Sequence, residues 1–484
     1  MQQRPSSAGR RPLSRREYEA LMRRRRQNRV AIAIMAGIAV LIVAAVVLIL
    51  RPKPAPDHVA VMAATSAPGG DPTEIPGARA AEPSGGIDLA EATGTSPESG
   101  GEQQPSGGEP EAPTALPTQA PELPEAIEEV SSTPRPAGSR RSVRMRVVGD
   151  IMFCQSQLVF ARDSGYDFHN QFELITDLLG NADYTMGNME GTIGKYKSSN
   201  YSGYPQFNAP DVALAPLKDA GIDFLTLANN HMLDRWVDGL KNTVNWVEQY
   251  GFDHVGAYRS KEERNTPVIY EVGGIKFGFV AYTHSTNTME KRGSDPEGVA
   301  YAVPYIQKAD FKADVQKLRA AGAEVVIAFP HWGEEYVRSP DSSQKKYAKQ
   351  LAEAGADIII GSHSHMVQPM GYQTITNADG SARKVFTVFS MGNFISDHIV
   401  RYTDCGVILD FTVNENADGT FSCDNVGYIP TYTWQQDGAI RVLPSGRYLK
   451  DRPSGMNDES YERMVESFYD IVEVVGDDFQ LISG

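Results

Sequence analysis

Four segments of this chain run through one order of events, and that repetition limits the possible folds more than any other feature. "LKDAGIDFLTLANNH", "LRAAGAEVVIAFPHWG" and "LAEAGADIIIGSHSH" each carry helix-like residues up to a glycine, then an acidic residue, an apolar run and a polar end; "VEQYGFDHVGA" is a looser fourth copy. A glycine in that place suits a left-handed helix cap, and an unbroken apolar run suits a strand buried on both faces. Helix, cap, strand and loop in alternation predict an α/β fold, a sheet covered by helices on both faces. The spacing between copies is irregular, which argues against a repeat array.

These strands share a second property. "SVRMRVVGD" ends at Asp150, "DYTMGNMEG" delivers Asn188 and Glu190, and "LTLANNH" delivers Asn229, Asn230 and His231. His331 closes "VVIAFPH", His363 and His365 follow the isoleucines of "IIIGSHSH", and Asn393 follows "VFSMG". In open α/β sheets ligands bind beyond the carboxyl ends of the strands, so all ten residues are expected at one edge. Imidazoles, carboxylates and an amide oxygen, without a set of thiolates, suit a divalent transition metal such as Mn, Fe or Zn. A carboxylate such as Glu190 can bridge two ions about 3.5–4 Å apart, and a histidine off the metal can serve as general acid.

Each residue also has a plainer reading. His331 alone could be a hydrogen-bonded structural histidine, Asn229 and Asn230 turn residues, and Asp150 a helix N-cap. His363 and His365 diverge on a regular strand and converge only if Ser364 lies in a turn. Use of the same strand-end position at least five times favours the joint reading. Nothing in the sequence assigns a role to His169, His254, His284 or His398.

The first 140 residues are a different kind of chain. Val30 to Leu50, "VAIAIMAGIAVLIVAAVVLIL", is an unbroken apolar run, long enough at 1.5 Å per residue to cross a hydrocarbon core of about 30 Å. It is expected to be a transmembrane helix. A cleaved leader would have an apolar region of only about 7–15 residues. The arginine-rich flank "RREYEALMRRRRQNR" is expected in the cytoplasm, by the bias of basic residues to that side. The expectation is a single-pass cell-membrane protein with its main domain outside; a nucleic-acid arm is disfavoured by the span that follows. Residues 51–140 hold Pro, Gly, Ser and Glu without an aromatic residue and are expected to be a disordered tether. The expected organisation is therefore 1–29 basic tail, 30–50 helix, 51–140 linker and 141–484 folded domain. The tether carries part of the formal net charge of −15, so that charge says little about the partner of the folded part.

Cys154, Cys405 and Cys423 form no CxxC pattern, and a hairpin around "NENADGT" would put Cys405 and Cys423 out of register, against a disulfide. That hairpin and a terminal helix in "NDESYERMVESFYDIVEVV" are expected to have structural roles.

"VVGDIMF", "GNMEG", "LTLANNHMLD", "AFPHWGEEY", "GSHSHMVQP" and "FSMGNFISD" resemble, in order, the successive motifs of the CapA family of bacterial poly-gamma-glutamate capsule synthesis, over roughly Met145 to Asp410. The resemblance implies a membrane anchor and an outer domain similar to calcineurin-like metallophosphoesterases, a four-layered α/β sandwich with a two-metal centre. It implies that Asp150 and His365 hold one ion, that His331 and His363 hold the second, that Glu190 bridges them, and that Asn230 is a further ligand. His231 matches the histidine that protonates the leaving group. The chain departs from the phosphoesterase pattern two residues after Asp150, where a metal-binding histidine is replaced by Met152; Asn229 in place of a glycine is a smaller change. Asn188, Asn229, Asp234, Glu335 and Asn393 are expected beside the ligands or the substrate, and Asp234 and Glu335 either orient histidines or start helices and form salt bridges.

Two functions follow as expectations. One is a metal-dependent hydrolase or transferase acting outside the cytoplasm on an anionic polymer, such as poly-gamma-glutamate, or on a phosphoester. The other is a non-catalytic polymer-binding subunit whose membrane helix recruits capsule synthase and export subunits. A polyanion-binding surface should show clustered positive charge, and Lys195, Lys197, Arg235 and Arg401 sit near the motifs.

Overall fold

The computed structural model describes residues 140–195, 200–377 and 380–484. The expected transmembrane helix at Val30 to Leu50, the tether and Lys197 lie outside these residues. Among the described residues no helix is long and apolar enough to cross a membrane.

Along the chain come β1 (Ser142–Ile151), β2 (Tyr184–Met189), β3 (Phe224–Thr226), β4 (Asp253–Val255), β5 (Val268–Val272), β6 (Ile275–Thr283), β7 (Val325–His331) and β8 (Ile358–Ile360). They are followed by β9 (Met370–Thr376), β10 (Ala382–Val388), β11 (Asn393–Ile395), β12 (Cys405–Glu415), β13 (Phe421–Gln436), β14 (Ala439–Pro444) and β15 (Gln480–Leu481). The longer helices are α1 (Gln155–Arg162), α2 (Trp236–Gln249), α3 (Phe311–Ala320), α4 (Ser342–Ala354) and α5 (Asp458–Val475). A nine-stranded sheet runs β14-β13-β12-β1-β2-β3-β4, with β11 beside β1 and β15 beside β13. A six-stranded sheet runs β9-β10-β8-β7-β6-β5.

The helix, cap and strand punctuation holds. α4 ends at Gly355, which adopts φ 111° in the left-handed region, and β8 begins three residues later. The expectation of one sheet with helices on both faces does not hold, because the two larger sheets face each other. Val325, Ile327 and Phe329 of β7 join the inter-sheet core with Phe224 and Phe279. Val326 and Ala328, on the other face of the same strand, pack against Phe311, Val315 and Leu318 of α3 and Leu351 and Ala352 of α4. A strand buried on both faces reads as continuously apolar whether its cover is a helix or a second sheet. The Phe224 ring lies 4.6 Å from that of Phe279, which fastens β3 of one sheet to β6 of the other.

On the larger sheet, Thr185 donates from Oγ1 to the Leu179 carbonyl at 2.8 Å, on the face opposite Met186. Arg146 also lies away from Val147 on that outer face, and its buried guanidinium bonds Asp410 at 2.7 Å, as a buried charge must be paired. The hairpin of β12 and β13 extends this sheet and α5 packs on it. Cys405 stands opposite Tyr432 and Cys423 opposite Val413, so the two cysteines are out of register, and both are free.

Candidate metal centre

The register of β1 lays out the site. Asp150 stands beside Asn188 of β2 and Asn393 of β11, and Asn188 stands beside Thr226 of β3. Four buried polar residues thus cross the carboxyl end of the larger sheet in a row. Asn188 donates from Nδ2 to Asp150 Oδ1 at 2.7 Å, while its Oδ1 accepts from Thr226 Oγ1 at 3.0 Å. Both ends of the amide are used, so its orientation and that of the Asp150 carboxyl are settled.

The smaller sheet supplies the histidines. His331 is the last residue of β7, and its Nδ1 lies 2.8 Å from Ser362 Oγ. Beyond β8 the chain turns sharply: His363 and His365 have φ of 95° and 56°, a left-handed backbone that costs a non-glycine residue on the order of 1–3 kcal/mol. Between them Ser364 donates from Oγ to the Met366 carbonyl at 2.7 Å. This is the turn that convergence of the pair requires. His363 donates its backbone N–H to Asp150 Oδ2 at 3.3 Å and brings its Nδ1 within 3.0 Å of His331 Nε2. His365 places Nδ1 2.9 Å from Asn393 Oδ1.

Two clusters result, Glu190 with His331 and His363, and Asp150 with Glu190 and His365. In each the candidate ligand atoms lie within 4.8 Å of one another. Glu190 belongs to both, with Oε1 3.8 Å from His331 Nε2 and 3.9 Å from His365 Nε2. Glu190 is fully buried, and neither carboxyl oxygen has a hydrogen-bond partner among the described residues. Burial, then the nearby Asp150, pushes the Glu190 carboxyl well above the ordinary range, and burial pushes Asp150 up to about 7. Burial likewise pushes His331 and His363 well below the ordinary imidazole value and His365 down to about 3. Neutral imidazoles facing two desolvated carboxylates, of which Glu190 is unpartnered among the described residues, form a donor set that a divalent cation satisfies, because it offsets the cost of burying the anions. Asn230 adds an oxygen 2.9 Å from His331 Nε2, and its Nδ2 is a further buried atom without a partner among the described residues.

His231 stands apart from both clusters. Its Nδ1 lies 2.7 Å from Asp234 Oδ2, which also accepts the Phe207 N–H at 2.7 Å. Its Nε2 faces Asn287 Nδ2 at 3.4 Å, and Phe207 packs edge-on against the ring. Asn229 shapes this turn, accepting the His231 N–H at 3.1 Å and donating to the Met189 carbonyl at 2.7 Å. Glu335 is exposed at the rim and hydrogen-bonds no histidine among the described residues. Arg401 is tied to Asp470 at 2.6 Å and Glu466 at 3.0 Å, so its charge is already matched.

Residues 144–398 match the model of a family described as bacterial capsule synthesis protein PGA_cap, which is more than half of the 484 residues. The chain belongs to that family. Every site residue named above, from Asp150 to Asn393, falls within the matched span. The chain is 28% identical over 281 residues to the capsule biosynthesis protein CapA of Bacillus anthracis, covering 56% of this chain and 64% of that protein, a little under two thirds of its length. It is 28% identical over 286 residues to the PGA biosynthesis protein CapA of Bacillus subtilis strain 168, covering 57% and 68%. A solved structure of Haemophilus influenzae NAD nucleotidase (NadN) overlaps 71% of this chain and 65% of its own, at 12% identity and a TM-score of 0.35, a likeness from which nothing follows.

In this PGA_cap chain Met152 is buried against Cys154 and Phe207. Two histidines that the sequence left unassigned stand at the centre's edge. The His284 ring lies 4.3 Å from that of His363, and the His398 ring 5.1 Å from that of His365. His284 directly follows β6, so the strand-end rule applied to "GFVAYTH" would have found it.

Proposed function

We propose that this chain is a membrane-anchored PGA_cap protein whose outer domain, a four-layered sandwich of the metallophosphoesterase type, cleaves or transfers a group of an anionic capsule polymer or phosphoester. One observation carries the reading: Glu190 is buried, shared by both clusters, and unbonded at both oxygens. Asp150, His365 and Glu190 are the residues that would hold one divalent ion, and Glu190, His331, His363 and Asn230 those that would hold a second, with Mn, Fe or Zn fitting the donor set. Bound there, such ions supply Lewis acidity and a water of lowered pKa.

The chain's own residues do the rest. Asn393 and Ser362 bond the Nδ1 atoms of His365 and His331, which leaves Nε2 of each ring turned toward Glu190. Asp234 accepts the Nδ1 hydrogen of His231, so the Nε2 proton of the imidazolium is the one delivered to the oxygen of the departing group, and the ring is left neutral. The name of the Bacillus subtilis relative, a PGA biosynthesis protein, favours poly-gamma-glutamate as the polymer and synthase or export subunits in the membrane as partners.

Met152 favours a second reading, a polymer-binding subunit without turnover, because the Asp150 cluster has one histidine fewer than phosphoesterases have. The two part on one variant. Full-length protein in detergent, assayed on phosphoesters and on gamma-linked glutamate oligomers, is expected to lose turnover by about 10²–10⁴-fold on His231→Ala with metal content unchanged. Turnover retained in that variant overturns the catalytic reading, and normal polymer in cells carrying it supports the binding subunit.

A further inference from the structure

We propose that His398 is a substrate-binding donor of the metal centre, an uncharged imidazole whose Nε2–H bonds the part of the substrate that stays behind when the group protonated by His231 departs. The inference rests on the catalytic reading above and adds to it a second histidine that is off the metal. His398 belongs to neither ligand cluster. Its ring nevertheless packs edge-on against that of His365 at 5.1 Å and lies 6.2 Å from that of Tyr336, which is itself 5.8 Å from His365.

Hydrogen bonding around Asn393 decides which nitrogen of His398 carries the hydrogen. Asn393 Nδ2 lies 2.9 Å from the Thr403 carbonyl, an oxygen that only accepts, so the amide nitrogen is on that side. Its Oδ1 then faces His365 Nδ1 at 2.9 Å, and its second N–H faces His398 Nδ1 and Ser396 Oγ, both at 3.3 Å. A hydrogen on His398 Nδ1 would oppose that N–H. Nδ1 is therefore the acceptor and the ring hydrogen sits on Nε2. No described residue bonds Nε2, and it is not among the buried polar atoms, so the ring offers one open donor.

Position gives that donor its target. Across the carboxyl edge of the larger sheet the strands stand in the order β11, β1, β2, β3. His231 follows β3 at one end of the row and His398 follows β11 at the other. A substrate that presents its departing group to His231 therefore extends the attacked group, whose oxygens gain charge, toward His398. The segment is fixed before any ligand arrives. Asp397 accepts from the Ser156 N–H at 3.2 Å and from its Oγ at 2.8 Å, and the His398 carbonyl accepts from Gln435 Nε2 at 2.9 Å. Tyr336, with a left-handed φ of 64°, donates its N–H at 2.8 Å to the carbonyl of Ser364, the residue between His363 and His365. A donor already held where charge develops needs no reorganisation when it bonds.

The test uses the full-length chain in detergent, loaded with Zn and labelled with nitrogen-15 on histidine, with inorganic phosphate as the probe because it carries the oxygens of a retained group. Imidazole nitrogen spectra, assigned by the signal missing from His398→Gln, are expected to show hydrogen on His398 Nε2 and a shift of that signal when phosphate is added. In calorimetry His398→Phe, which keeps a ring but has no N–H, should bind phosphate about 10-fold or more weakly. His398→Gln, whose amide offers an N–H, should recover most of that loss, with the Zn content the same in all three proteins. Hydrogen on Nδ1, or unchanged phosphate affinity in His398→Phe, overturns the donor and leaves the proposed function standing. Zn lost from His398→Phe also overturns it, by making His398 a support of His365. A Zn-loaded native chain that binds no phosphate overturns the phosphoester reading and the donor together.

Discussion

Asp234 holds His231 through one oxygen, Oδ2, which lies 2.7 Å from the imidazole Nδ1 and takes the backbone N–H of Phe207 as well. An ionised carboxylate only accepts, so Nδ1 carries hydrogen and Nε2 is the reactive atom. Asp234→Asn removes the negative charge opposite the Nδ1 hydrogen, so the ring is less well held as the cation that delivers its Nε2 proton. The expected outcome is a fall in turnover of about 10–100-fold with unchanged metal content, measured as kcat beside elemental analysis. An unchanged kcat would show that Asp234 only supports the loop.

Asp150 depends on a crossing with no room for a side chain. Its N–H donates to the Gly392 carbonyl at 3.0 Å, and a Cβ on the preceding Gly149 would lie 2.0 Å from that same oxygen. Gly149→Ala must push β11 from β1, at a cost of at least about 1–3 kcal/mol. A lower Tm accompanied by weaker metal retention is expected in thermal unfolding and metal titration, because Asp150 and Asn393 move with the backbone.

The strand ends were legible because the chemistry there contradicts local propensity. Histidines and asparagines directly after runs such as "FLTLA" and "IIIG" are not explained by packing, so Asp150, Glu190, His331, His363 and His365 could be collected before any geometry was known. The meeting of the two sheets was not legible in the apolar pattern and was implied only by the family resemblance, since the apolar periods of β3 and β7 are the same against a helix as against another strand. Nor were Asn287 and Trp236, the first residue of α2, whose left-handed φ of 52° and 55° is set by tertiary surroundings. His398, three residues past the end of β11, was not found by the strand-end rule.

The two sheets are joined most tightly at Phe224, which touches Phe279, Phe329 and Tyr270 with ring centroids 4.6, 5.9 and 6.0 Å away. Phe224→Ala leaves a cavity between sheets that cannot collapse independently. A loss of about 3–5 kcal/mol is expected from denaturant unfolding. A much smaller loss would mean that the sheets close over the gap.

Arg141 ties the start of β1 to two other strands, bonding Glu415 at 2.9 Å and Glu324 at 2.8 Å. The Arg141 hydrogen bonds hold the Glu415 carboxyl down at about 2, from an ordinary value of 4.5. A depressed folded-state pKa contributes stability that is complete above the unfolded value and is lost as pH falls through the folded one. Stability should therefore decline between about pH 5 and pH 2, and Glu415→Gln should flatten that decline while lowering Tm at neutral pH. An identical acid limb in the variant would assign the decline to other carboxylates.

The central claim is that Glu190 is shared by two cation positions, and metal content measures it most directly. Full-length protein purified in detergent and supplied with Mn, Fe or Zn is expected to retain one or two ions per chain by plasma mass spectrometry. His363→Ala and His365→Ala should each remove one cluster's share, and Glu190→Gln, which changes little in volume, should remove both. A folded native chain that holds no ion after metal is supplied, or a Glu190→Gln variant that holds as much as the native chain, would contradict the account.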